Sequence, residues 1–197
     1  MNRKAFIRNS SLALISIPFL NVSAMLGLEN LVPKTYYFKD DGIIPNSKYP
    51  LLVYLNAFSE RGSSGAIFLE KKFKANNWYN SWRYGVYPFH HYHSITHEVL
   101  GVFQGNALLH MGGPKGEKIN VKAGDILVIP AGVGHKCISH SDDFTVVGAY
   151  PNGMDWDLIK EEKDKHHESV MNISKVPIPT TDPINGKTNG LLTAWKK

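Results

Sequence analysis

Gly85–Gly105 reads GVYPFHHYHSITHEVLGVFQG. His91 and His93 stand two residues apart, so on an extended strand both imidazoles point to one face. Glu98 lies five residues beyond His93, an odd step that would put it on the opposite face of one straight strand. A turn must therefore intervene, and Ser94, Ile95, Thr96 and His97 can supply it. The next strand then returns Glu98 to face the two histidines. Two imidazoles and a carboxylate converge.

A second stretch, Gly124–His135, reads GDILVIPAGVGH: an apolar strand, a turn with Pro and Gly, and a third histidine entering a new strand. With His135 the set becomes three imidazoles and one carboxylate, a mixed nitrogen and oxygen site suited to one divalent Fe, Mn, Ni, Cu or Zn ion. Calcium, which takes oxygen ligands only, fits poorly. A carboxylate buried among neutral imidazoles is costly without a cation. The candidate metal ligands are therefore His91, His93, Glu98 and His135.

These two stretches resemble the paired motifs of the cupins. Gly85, His91, His93, Glu98 and Gly105 fill the fixed places of the first motif, and Gly124, Pro130, Gly132 and His135 those of the second; Ser139 stands where the second motif ends in Asn. The resemblance narrows to the small YjlB-type bacterial cupins through HHYHSITHEVLGV, IPAGVGHK, VVGAYPNGMDWDL, DPINGKTNGLLTAW and the upstream DDGIIPN. It implies a mainly β fold, a cupin-type antiparallel jelly-roll β-barrel with one or two peripheral helices. It also implies that a homodimer through the outer strands is open to the fold, although the sequence itself shows no interface.

The pattern along the chain points the same way. Tyr36–Lys39 and Leu51–Leu55 read as edge strands separated by turn residues. After a loop at Arg61–Gly65, Ala66, Leu69 and Phe73 recur at helical spacing and predict one amphipathic helix. Val99–Gln104 and Ala107–Met111, joined at Gly105 and Asn106, predict a hairpin. Strands follow at Lys118–Val121, Ile126–Ile129, from His135, and at Phe144–Tyr150. Many short strands with turns between them, and no parallel crossovers, indicate a barrel or sandwich.

Residue parity suggests a substrate pocket. Tyr87 and Phe89 share the parity of His91 and His93, and Leu100, Val102 and Gln104 that of Glu98. His90, of opposite parity, is expected to point outward. His97 is the first candidate acid or base beside the metal, the alternative being an exposed turn histidine. Cys137 reads as a small buried apolar residue, or as a fifth group near the metal. The segment with Asp155, Trp156 and Asp157 reads as a solvated loop anchored by its tryptophan, with a cap over the cavity mouth as the sharper reading. His166 and His167 are read as surface residues.

A chain of 197 residues accommodates one domain with a real core. Residues 1–24 read as an export signal: a basic start, an apolar run at Leu12–Leu20 and small residues ending at Ala24. That run is far short of the roughly 20 residues that span a bilayer, so no stable membrane insertion is expected after processing. Arg3 and Lys4 also give the segment a degenerate twin-arginine character. The expected location is the periplasm, the alternative being the cytoplasm usual for the resembled group. Residues 25–197 would form the single cupin domain, with the barrel core at about residues 80–150.

The formal charge of +5 shrinks on inspection. Arg3, Lys4 and Arg8 lie in the first 24 residues, which hold no Asp or Glu; the rest carries 19 basic against 17 acidic residues. Nucleic acid is therefore not an expected partner. The partner is a small-molecule substrate or ligand. The leading function is a metal-dependent oxidoreductase, dioxygenase-like; the alternatives are a metal-assisted isomerase or decarboxylase, or a non-catalytic binding module for metal and a small ligand.

Overall fold

The computed structural model describes residues 31–196. The expected export signal at residues 1–24 lies outside them. Two antiparallel sheets face each other. The first contains β1 (Lys34–Tyr36), β2 (Leu51–Tyr54), β3 (Trp78–Tyr84), β5 (Glu98–Gln104), β8 (Ile126–Ile129) and β10 (Thr145–Pro151), in the order β1-β2-β8-β5-β10-β3. The second contains β4 (His91–Tyr92), β6 (Asn106–Met111), β7 (Glu117–Lys122), β9 (His135–His140) and β11 (Ile159–Lys160), in the order β11-β4-β9-β6-β7. Together they form a jelly roll.

The two sheets bury different amounts of surface, and their sequences show it. In the first, β2 (LLVY) and β8 (ILVI) are buried at every position. Leu51, Val53, Leu127 and Ile129 point between the sheets, while Leu52, Tyr54, Ile126 and Val128 point the other way. That outer face is covered by helix α1 (Gly62–Ala75) through Ala66, Leu69 and Phe73, and by the carboxy-terminal tail. In the second sheet, β7 (EKINVK) alternates buried Ile119 and Val121 with exposed neighbours, because one of its faces meets water. Full burial of a side chain such as Leu69 contributes roughly 1.5–3 kcal/mol.

The carboxy-terminal tail is held by one buried carboxylate. Asp182 accepts hydrogen bonds from the amides of Ile184, Asn185 and Leu191 at 2.7, 2.8 and 2.8 Å and from the Tyr54 hydroxyl. Its last turn, α3 (Leu191–Ala194), delivers Trp195, whose indole donates to the Pro50 carbonyl at 2.9 Å and stacks on Tyr49. Between α1 and α3 in the chain, α2 (His166–Ile173) packs beneath β4, where the Tyr92 hydroxyl donates to Ser169 at 2.9 Å.

Several local expectations change. β5 and β6 do not form a hairpin: β5 pairs with β8 and β10, and β6 with β7 and β9. Gly105, at φ +70°, turns the chain from one sheet into the other, and a Cβ there would meet the Ser141 side chain at 2.5 Å. Alternation along two successive strands is the same in either arrangement, so the crossing leaves no local trace. β2 is an interior strand between β1 and β8, not an edge. The helix begins at Gly62, inside the expected loop, and among the described residues two short helices accompany it.

Candidate metal centre

His91 and His135 face each other in register across β4 and β9, with ring centroids 4.1 Å apart. His93 follows directly after β4. After the turn at Ser94 and Ile95, Glu98 opens β5 in the facing sheet, paired with Ile129. Two imidazoles from one sheet, and a third from the residue just after its strand β4, thus meet a carboxylate from the other. One ligand atom from each of the three histidines lies within 4.8 Å of the others. Glu98 Oε2 is 3.5 Å from Nε2 of both His93 and His135. All four residues are buried.

The tautomers follow from the backbone. Nδ1 of His91 meets the Phe89 carbonyl at 3.1 Å, Nδ1 of His135 meets the Val133 carbonyl at 3.0 Å, and Nδ1 of His93 meets the Asp157 carbonyl. A carbonyl only accepts, so each Nδ1 carries the proton and donates it. In the neutral rings every Nε2 is then a bare lone pair. Burial, followed by the neighbouring His135, holds His91 well below the ordinary histidine range. Burial works against a charged His93, but the Glu98 carboxylate outweighs it and raises that ring. Burial would raise Glu98, whereas His93 and His135 draw it well below the usual carboxylate range. The cluster therefore holds negative charge and lone pairs that lack a positive centre unless His93 takes up a proton. A divalent transition metal fits this donor set, and three buried histidines at such separations fit a metal-binding site.

Above the four residues lies an open cavity of about 240 Å³. Its walls are aromatic and apolar, with Trp82, Tyr84, Tyr87, Leu100, Tyr150 and Trp156 prominent. The Trp82 indole donates to the Tyr150 hydroxyl at 3.0 Å, which leaves the Tyr150 proton for Glu98. Burial, then the charge of Glu98, pushes Tyr150 well above its ordinary range, so it remains a hydroxyl donor. Trp82 lies across from Gly148 of β10; a Cβ on Gly148 would stand 2.2 Å from the indole ring. The indole reaches the cavity because that position has no side chain.

Residues 85–147 match the cupin domain family. The uncharacterized protein YjlB of Bacillus subtilis (strain 168) is 46% identical over 165 residues, covering 83% of this chain and 97% of that one. The chain belongs to the YjlB-type cupins. Among solved structures, a double-stranded β-helix protein from Klebsiella pneumoniae shares 14% identity over 77% of this chain and 98% of its own, with a TM-score of 0.32. Procruciferin, an 11S globulin from Brassica napus, shares 20% identity over 41% of this chain, with a TM-score of 0.33. The chain spans about a fifth (21%) of that globulin's length.

In this cupin the residues expected around a substrate part company. Tyr87 and Leu100 line the cavity, but Phe89, Val102 and Gln104 do not. Residues 85–90 are not a strand, so parity counted back from His91 fails: Phe89 stacks behind Tyr87, with the Lys160 ammonium 4.7 Å from its ring centroid. Val102 sits in the apolar filling between the sheets, and Gln104 is exposed at the end of β5. The inward parity of Glu98, Leu100 and Val102 holds, but the cavity closes below Leu100.

His97 also moves. One step before Glu98, it points to the other face of the first sheet, buried against Trp195 with ring centroids 4.7 Å apart. Its Nδ1 accepts the Ala131 amide at 2.9 Å, and burial lowers the ring's pKa to about 4. It is neither an exposed turn histidine nor an acid or base beside the metal centre. His90 leaves the barrel interior as expected but is buried against His110 rather than exposed. Cys137 packs in the filling between the sheets and does not line the cavity.

The loop after β10 carries more than expected. Trp156 lines the cavity, edge-on to His93 at 5.7 Å. The Asp157 carboxylate accepts from the Ser94 amide at 2.7 Å and the Ser94 hydroxyl at 2.5 Å, closing the turn between His93 and Glu98. Nothing local marks Asp157 for this role; its partners lie more than sixty residues earlier in the chain.

Proposed function

We propose that this cupin is a metal-dependent small-molecule enzyme, an oxidoreductase of the dioxygenase kind. The observation that carries the reading is the convergence of three Nε2 lone pairs and the Glu98 carboxylate on the floor of an open cavity. A divalent ion held there supplies Lewis acidity and, if redox-active, chemistry with dioxygen. His91, His93 and His135 are its nitrogen ligands, oriented through the Phe89, Asp157 and Val133 carbonyls. Glu98 supplies the negative charge, with the Tyr150 hydroxyl close enough to feel it. The aromatic walls exclude water from substrate and receive its apolar part.

Oxygen uptake by the metal-loaded protein, screened with dihydroxylated and dicarbonyl compounds, tests the reading. Substrate-dependent uptake that disappears in His135→Ala supports it. Turnover that proceeds equally under argon replaces it with a metal-assisted isomerase or decarboxylase. Ligand binding with no turnover under either atmosphere replaces it with a binding module.

A further inference from the structure

We propose that the cavity accepts a single aromatic ring whose polar groups are oxygen donors, a phenol- or catechol-like molecule, and rejects substrates that carry additional carboxylate or phosphate groups. The inference deepens the metal-site reading, which supplies the cavity floor; the walls supply the rest.

The walls offer rings and no cations. Trp156 and Tyr150 lie with their planes within 19° and their centroids 6.4 Å apart, and present one aromatic surface beside His93. Trp82 and Tyr87 complete the enclosure. At the mouth, Trp156 is 47% exposed and Tyr87 40% exposed. Such a concentration of uncovered aromatic surface around a buried polar centre marks a ligand site. Among the described residues, no Lys or Arg lines the cavity. Lys160, close by in β11, keeps its ammonium over the Phe89 ring, outside the lining. Carboxylates and phosphates are recognised by guanidinium forks or ammonium charges. Here a second anionic group would be desolvated against aromatic faces without a partner, which is costly. The Tyr150 hydroxyl already accepts the Trp82 indole N–H at 3.0 Å.

Size agrees with one ring. An enclosed apolar cavity of about 150 Å³ takes up benzene, and the cavity here is about 240 Å³. A ring with two oxygen substituents fills it while placing those oxygens on the floor. Its faces then lie against aromatic walls.

The test is calorimetric titration under argon of catechol and of malonate, an aliphatic dianion with two oxygen-donor groups. Both go into the protein as purified and after chelation, with metal content measured in the same samples. Catechol is expected to bind about tenfold or more tighter than malonate, since both offer two oxygens to the floor and only catechol offers a ring to the aromatic walls. Chelation weakens catechol and leaves the order unchanged. Trp156→Ala, half-exposed in the wild type and checked for folding by circular dichroism, weakens catechol by roughly tenfold. Malonate binding as tightly as catechol, or catechol affinity unchanged in Trp156→Ala, overturns the proposal. Wild type that holds no metal as purified, and whose preference for catechol is the same before and after chelation with no loss of affinity, removes the metal reading and leaves the aromatic one standing. Metal-loaded protein that prefers malonate does the reverse.

Discussion

Asp157 holds His93 from two directions: its main-chain carbonyl accepts the His93 Nδ1–H, and its carboxylate accepts both the amide and the hydroxyl of Ser94. A residue from the loop after β10 thereby orients one imidazole and closes the turn that brings Glu98 across to it.

Asp157→Ala keeps the carbonyl and removes the clamp. The Ser94 amide loses a charged acceptor, so stability falls by roughly 2 kcal/mol. Metal affinity falls about 10- to 100-fold, the usual effect of losing a residue that positions a metal ligand. Thermal melts and metal titration measure the two effects; wild-type affinity in the variant would show that the turn holds without Asp157.

Tyr150→Phe removes the hydroxyl between Trp82 and Glu98 and leaves the ring in the cavity wall. One hydrogen bond of about 0.5–1.5 kcal/mol net is lost, so metal affinity falls by roughly two- to tenfold while the protein stays folded. Trp82→Phe, which removes the donor to the Tyr150 oxygen but leaves the Tyr150 proton, has the smaller effect. The reverse ranking in metal titrations would show that the Tyr150 proton does not serve Glu98.

How much could be read from the chain is clearest at the metal centre. The two-residue step from His91 to His93 and the odd step to Glu98 require a turn between two strands, and strand geometry alone then brings these groups together. The match of Gly124, Pro130, Gly132 and His135 to the second cupin motif adds the third histidine. Asp157 and Tyr150 are different in kind. Their partners are distant in sequence, and an aspartate beside a tryptophan looks the same whether it meets solvent or the Ser94 amide. Phe89 and Gln104 show where parity stops working: it holds within a regular strand and lapses at the irregular segment 85–90 and at the end of β5. The β5–β6 crossing was illegible for another reason, since an alternating pattern fixes which side chains are buried and not which strand lies alongside.

His97→Ala separates the two faces of the first sheet. The ring packs on Trp195 and accepts the Ala131 amide, so its loss leaves a cavity and an unpaired amide and costs on the order of 2–4 kcal/mol. Metal content is unchanged, because the ring points away from the cluster. Denaturant unfolding beside elemental analysis checks both; loss of metal from otherwise folded His97→Ala protein would place the ring in the site after all.

Asp182→Ala tests the tail. The buried carboxylate satisfies three amides and the Tyr54 hydroxyl, and removing it costs on the order of 3–5 kcal/mol. Hydrogen exchange should show the tail losing protection before the strands that carry the histidines. Simultaneous loss across tail and barrel would mean that the two unfold as one unit.

The central claim is that His91, His93, His135 and Glu98 together hold a divalent transition metal. Elemental analysis of protein purified without added metal, beside His135→Ala and Glu98→Ala variants shown to be folded by circular dichroism, tests it most directly. The expected result is near-stoichiometric Fe, Mn, Ni, Cu or Zn in the wild type and its loss from both variants. Folded wild-type protein that neither carries nor takes up any of these ions, or variants that keep the full complement, would contradict it.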